Sequence, residues 1–164
     1  MKRGQMQLSF GMIFSIILIV IFISVAFYAI LKFLDVQNSM KVGKFLNDFQ
    51  TDVDRMWKGS HGSQEVEYYL PSKIEYVCFI DYSLQSKGSR ADIYNKMKQV
   101  YYEHENIFFY PLGSAEGMDA SEIEHINLEK ITESENPYCV QNVDGKIKFT
   151  LKKNYDEATV DVTR

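Results

Sequence analysis

Three histidines, His61, His104 and His125, and two cysteines, Cys78 and Cys139, are the side chains best suited to acid–base, nucleophilic or metal chemistry in this chain. His61 lies in the turn-forming run Gly59-Ser60-His61-Gly62-Ser63, His104 near the end of a helical pattern, and His125 in a segment of ambiguous period. None has a second His or Cys at zinc-ligand spacing, so structural or surface roles are expected. Asp119, Glu122, Glu124 and Glu129 lack the alternating Asp/Asn and central Gly of a calcium loop, and read as a solvated acidic face. No nucleophile elbow, Walker loop or dinucleotide fingerprint appears. The expectation is therefore no catalytic residue, no metal, no cofactor and no enzymatic activity.

Cys78 sits in the apolar segment Tyr76-Val77-Cys78-Phe79-Ile80, and Cys139 follows the turn pair Asn136-Pro137. A nucleophilic Cys78 would need a histidine base brought in by the fold. A second cysteine makes a Cys78–Cys139 disulfide in an oxidising compartment the favoured reading, with two buried free thiols as its alternative. Closing a loop of about 60 residues is worth about 4 kcal/mol in the chain-entropy model.

These residues depend on elements whose first is an uncharged run from Gln5 to Leu31 behind the basic start Met1-Lys2-Arg3-Gly4. At about 1.5 Å per residue, its roughly 27 residues reach about 40 Å, enough to span a hydrocarbon core of about 30 Å with tilt. The run is too long for an ordinary secretory h-region, and no small-x-small cleavage site ends it, which favours a retained anchor over a cleaved signal. Lys2 and Arg3 favour a cytoplasmic N-terminus, although Lys32, Lys41 and Lys44 dilute the asymmetry. The reading is a single-pass cell-membrane protein in contact with lipid, with its C-terminal domain extracytoplasmic.

Helical periodicity continues beyond the anchor. Val42, Phe45, Leu46, Phe49, Val53 and Met56 recur at three- and four-residue steps, with charged residues opposite, so one long helix carries an apolar packing face. Gly59 is placed to cap its C-terminus. The period then drops to 2: Val66 to Leu70 and Ile74 to Ile80 read as two strands paired antiparallel. Ser89 and Asp92 resemble a capping box that opens a helix from about Arg90 to Glu103. Ile107 to Tyr110 reads as a strand, Gly113 to Ser121 as a mobile loop, and Ile126 to Ile131 as either strand or helix. Asp144-Gly145 suits a type I′ turn, predicting a hairpin of Cys139–Val143 with Lys146–Leu151 and a further strand at Val160–Val162. The expected organisation is a leader 1–4, a membrane helix 5–34, its amphipathic continuation 35–58 and an α+β head 59–164: a mainly antiparallel sheet with one packed helix.

The 164 residues carry a net charge of −4, which argues against a nucleic-acid partner. Adjacent tyrosines such as Tyr68-Tyr69 and Tyr101-Tyr102 must place rings on different faces, leaving some exposed for contacts.

Lys2-Arg3-Gly4-Gln5 followed directly by an apolar helix resembles the processing site of archaeal type IV pilin-like proteins with class III signal peptides, and the helix-plus-β-head architecture is similar to a type IV pilin. The resemblance implies cleavage between Gly4 and Gln5 by a prepilin peptidase, retention of the helix, and contact with copies of itself or other pilin-like subunits. The family commonly has an acidic residue at the fifth mature position, where this chain has Ser9, which points to a minor or assembly subunit. The functional expectation is a pilin-like surface protein acting by protein contact; its alternative is a non-polymerising anchored ligand-binding or sensor-like ectodomain.

Overall fold

The computed structural model describes residues 10–164, so the processing residues Gly4 and Gln5, and Ser9, lie outside the described residues. The element order is α1 (Phe10–Lys58), β1 (Gly62–Tyr69), β2 (Tyr76–Phe79), α2 (Ala91–Met97) with a 3₁₀ turn (Lys98–Val100), β3 (Ile107–Tyr110), β4 (Ala120–Ser121), α3 (Leu128–Ile131), β5 (Tyr138–Gln141), β6 (Lys146–Lys153) and β7 (Asp161–Thr163). A long N-terminal helix followed by antiparallel sheets with short helices is an α+β fold. The chain divides into two compact units, one ending at Gln37 and one spanning Asn38–Arg164.

In the first unit, every large apolar side chain from Phe10 to Leu34 is exposed, Leu18 least at 38%. The hydroxyls of Ser15 and Ser24 donate back to the Gly11 and Val20 carbonyls, each at 2.8 Å. Such back-bonding satisfies a polar group within its own helix, as a hydrocarbon solvent requires. Among the described residues this helix is the one long and apolar enough to cross a membrane.

In the second unit the helix becomes one-sided. Val42, Phe45, Phe49 and Val53 are buried, and Leu46 and Met56 are partly buried against the same core. The helix does not end on a left-handed Gly59: that residue is absent from the positive-φ glycines, and its N–H closes a tight 3.1 Å bond to the Met56 carbonyl. The Lys153 ammonium instead donates to the Trp57 carbonyl in the last turn and to the Gly59 carbonyl just beyond it.

The strands form two antiparallel sheets, one of order β1-β6-β7 and one of order β4-β3-β2-β5. The two strands expected to pair with each other, at Val66–Leu70 and Ile74–Ile80, belong to different sheets: β1 pairs with β6, while β2 lies between β3 and β5. The Leu70–Glu75 crossing is fixed at Leu70, whose N–H donates to the Gly145 carbonyl, and at Ile74, whose N–H donates to Pro71. The expected β5–β6 hairpin is likewise reduced to its turn. Asp144 and Gly145 take φ of 53° and 77°, and Val143 and Lys146 exchange two 2.9 Å bonds, after which the strands part into separate sheets. A Cβ on Gly145 would stand 3.1 Å from the Leu70 carbonyl, so side-chain space and φ both call for glycine there.

The helix expected over Arg90–Glu103 is shorter. Arg90 is its N-cap with no side-chain cap bond, and regular turns stop at Met97, so the Ser89/Asp92 capping box does not form. The ambiguous Ile126–Ile131 segment splits: Ile126 bridges to Val160, and Asn127 caps α3 by accepting the Lys130 N–H at 3.1 Å. The predicted loop Gly113–Ser121 contains turns and the short β4 strand paired with β3.

The core has two parts on opposite faces of the four-stranded sheet. Val77, Phe79, Ile107, Phe109, Tyr138 and Val140 face α1 and the other sheet, whereas Cys78, Ile80, Phe108 and Cys139 face α2. Strand alternation separates the two sets.

Candidate functional site

Cys78 and Cys139 are joined by a disulfide and stand opposite each other in the β2–β5 register, their Cα atoms 4.0 Å apart. Val77 and Phe79 point their backbone groups at β5, because Ile80 bonds to Asn106 on the β3 side and successive residues alternate. The cysteines therefore occupy a non-hydrogen-bonded position, where side chains of neighbouring strands approach most closely. Both are buried, at 0% and 2% exposure, beneath Ile93 and Met97 of α2.

The packing face of α1 meets the sheets through aromatic rings. Phe49 lies 5.1 Å from Phe149, 5.8 Å from Tyr68 and 6.0 Å from Phe79, and Phe45 lies 5.7 Å from Phe109, all centroid to centroid. The buried Tyr68 hydroxyl donates to Asp52 of the helix at 2.7 Å; burial and this carboxylate push its pKa upward. Alternation along β1 leaves the adjacent Tyr69 63% exposed.

The histidines do not converge. His61 stacks on exposed Tyr155 at 3.9 Å, with Ser60 Oγ 3.2 Å from its Nδ1 and Tyr155 Oη 3.1 Å from its Nε2. His104 is exposed beside Glu103. His125 stacks on Trp57 at 3.7 Å and pairs through Nδ1 with Asp54 at 3.1 Å, while the Gln50 side chain accepts the Glu124 N–H at 2.9 Å. The hydrogen bond from His125 is the first cause holding Asp54 below the usual carboxylate range, followed by that from Gln50. Sequence reasoning missed this junction, although Asp54 and Trp57, three residues apart on a helix, share one face.

Of the acidic residues, Asp119 accepts the Gly113 and Ala115 N–H groups at 2.9 and 3.1 Å, which organises its own loop. Glu122, Glu124 and Glu129 are exposed, and among the described residues no three His, Cys, Asp or Glu side chains are grouped to hold a metal ion.

One open cleft of about 640 Å³ lies where β5 and β6 part, lined by Glu67, Val140, Gln141, Asp144, Lys146 and Lys148 among others, and a second of about 510 Å³ lies beside Tyr102, His104 and Glu122. The pattern did not reveal the first, because the sequence reads as a closed hairpin. Comparison of the chain with protein-family models, with curated proteins and with solved structures finds no significant match.

Proposed function

We propose that this protein is a single-pass, pilin-like membrane protein whose disulfide-bonded α+β head stands outside the cytoplasm and acts by protein contact rather than by catalysis. The observation that carries the reading is the change of character along α1: a wholly exposed apolar stretch from Phe10 to Leu34, then a one-sided stripe buried in the core of a head whose other core carries a disulfide. A fully apolar surface of that length is stable in lipid and unstable in water. The disulfide fits an oxidising compartment. A non-enzymatic role is supported by the separation of these groups: His61 stacks on Tyr155, His125 on Trp57, and Asp119 organises its own loop.

Lys2-Arg3-Gly4-Gln5 supports processing by a prepilin peptidase, with Gln5 becoming the mature N-terminus. Ser9 in place of an acidic residue favours a minor or assembly subunit. It also supports the second reading, an anchored binding ectodomain that does not polymerise, for which the β5–β6 cleft provides a place. Intact mass on protein purified from its native membrane, before and after reduction and alkylation, tests the proposal. A chain starting at Gln5 with two thiols appearing only on reduction is expected. A chain keeping Lys2 to Gly4 with free thiols overturns the pilin-like reading.

A further inference from the structure

We propose that a groove between α1 and β1 binds phospholipid heads, with Lys41 holding a lipid phosphate and Tyr69 lying beside it at the boundary of lipid and water. The groove has a volume of about 310 Å³; Lys41, Lys44, Phe45 and Asp48 form its helix wall, and Glu67, Tyr68 and Tyr69 its strand wall. Its floor is apolar, because Phe45 and Tyr68 are buried. Both rims face solvent: Lys41 is exposed, and so is the Tyr69 ring, with the Lys146 ammonium 5.3 Å from its centroid.

Pairing inside the groove singles out one cation. Lys44 is bonded to Asp48, and Glu67 accepts from Lys146 at 3.3 Å and from Lys148 at 3.4 Å. Lys41 pairs with no carboxylate among the described residues. The lining charges, Lys41, Lys44, Asp48 and Glu67, balance, so the attraction is local to Lys41 rather than a field over the whole surface. What covers the groove follows from chain length. Lys41 comes seven residues after Leu34, the last large apolar residue of the exposed run, and α1 is unbroken across them. Seven helical residues rise about 10 Å, and the polar layer of a bilayer adds about 5 to 7 Å beyond the hydrocarbon, a gap that a lysine stem is long enough to close. Over the same stretch, exposed Val36 and Met40 interleave with Asp35, Gln37 and Asn38, a mixture suited to that layer. Lysine ammoniums and tyrosine rings settle there because each joins an apolar body to a polar tip. The short tether also holds the groove at high effective concentration over lipid, an advantage that free phosphate lacks.

This inference deepens the membrane half of the reading above, on which it rests, by giving the head a lipid contact of its own. The test places the full chain, one copy per disc, in nanodiscs of phosphatidylcholine and phosphatidylglycerol whose heads carry a nitroxide, and reads amide relaxation by NMR. Gly62 and Tyr69 end the same strand. They stand about 24 Å apart at about 3.4 Å per residue, and relaxation by a nitroxide falls steeply with distance, so a docked head relaxes Tyr69 at least about tenfold more than Gly62. A head swinging on its tether relaxes the two comparably. Lys41→Glu should lower the Tyr69 enhancement about threefold or more, and Lys41→Arg should keep it. Tyr69→Ser should lower the enhancement read at Leu70. These side chains are exposed, so the variants keep the fold. Equal enhancement at both ends of β1, or a gradient indifferent to Lys41→Glu, overturns the inference. So does a gradient that appears only with two copies in a disc, which would name a second copy as the occupant. Enhancement at Leu34 with none in β1 overturns the inference and leaves the anchor standing; its loss from both overturns the anchor reading itself.

Discussion

The two faces of the four-stranded sheet are held by different means. On the α1 face, rings from distant parts of the chain (Phe45, Phe49, Tyr68, Phe79, Phe109 and Phe149) form one connected cluster. On the α2 face the apolar group is smaller, and a disulfide and tyrosine hydroxyls reinforce it: Tyr82 donates to the Tyr94 carbonyl at 3.0 Å and Tyr94 to the Leu84 carbonyl at 2.8 Å. A helix of seven residues buries too little surface to close its side of a sheet by the hydrophobic effect alone, so covalent and polar bonds supplement it. The long helix needs no covalent help, because its stripe spans three turns of large side chains, and its polar bonds, from Tyr68 to Asp52 and between His125 and Asp54, lie beside that stripe.

Breaking each face should therefore have a different signature. The largest effect is expected for Phe49→Asp, which removes a fully buried ring and leaves a charge in its place, at a cost of about 5 kcal/mol or more. Limited proteolysis of the head should accelerate strongly, and a rate equal to wild type would contradict the packing described for α1. Next is the Cys78→Ala/Cys139→Ala pair, whose sequence separation of 61 corresponds to about 4 kcal/mol of lost loop constraint. Exchange protection should fall first in α2 and the β2–β5 ladder; uniform loss across both faces would erase the distinction between them. Tyr94→Phe should cost about 1 kcal/mol through its lost bond to Leu84, read as a shift in denaturant midpoint. An unchanged midpoint would show that the hydroxyls contribute nothing on this face.

The smallest effect concerns acid. Asp54 is held below the usual carboxylate range by His125 and Gln50, so its folded pKa lies under its unfolded one. Its stabilisation is present above the ordinary carboxylate pKa and is lost as pH falls through the depressed folded value. Asp54→Asn should flatten the denaturant midpoint against pH between about pH 5 and 3, modestly, because the pair is partly exposed. A slope unchanged in the variant would remove Asp54 from the acid response of the α1 face.

Much of the local structure follows from residue order. The uncharged run and the stripe Val42, Phe45, Phe49, Val53 specify one helix with two environments, since periodicity records which side of an element is apolar. Alternation at Val66/Tyr68 and at Ile147/Phe149/Leu151 marks strands and their inner faces, and Asp144-Gly145 marks the turn because both residues tolerate positive φ. What alternation lacks is the identity of the neighbour: the same pattern serves β1 beside β2 or beside β6, and a closed or an opened β5–β6 hairpin. Pairing was decided by which arrangement buries the rings of α1 between two sheets and sets Cys78 opposite Cys139. The Asp54–His125–Trp57 junction and the cleft at Gln141 and Lys148 are consequences of that choice. Each joins residues brought together by three-dimensional packing, where energies depend on contacts that residue order leaves unspecified.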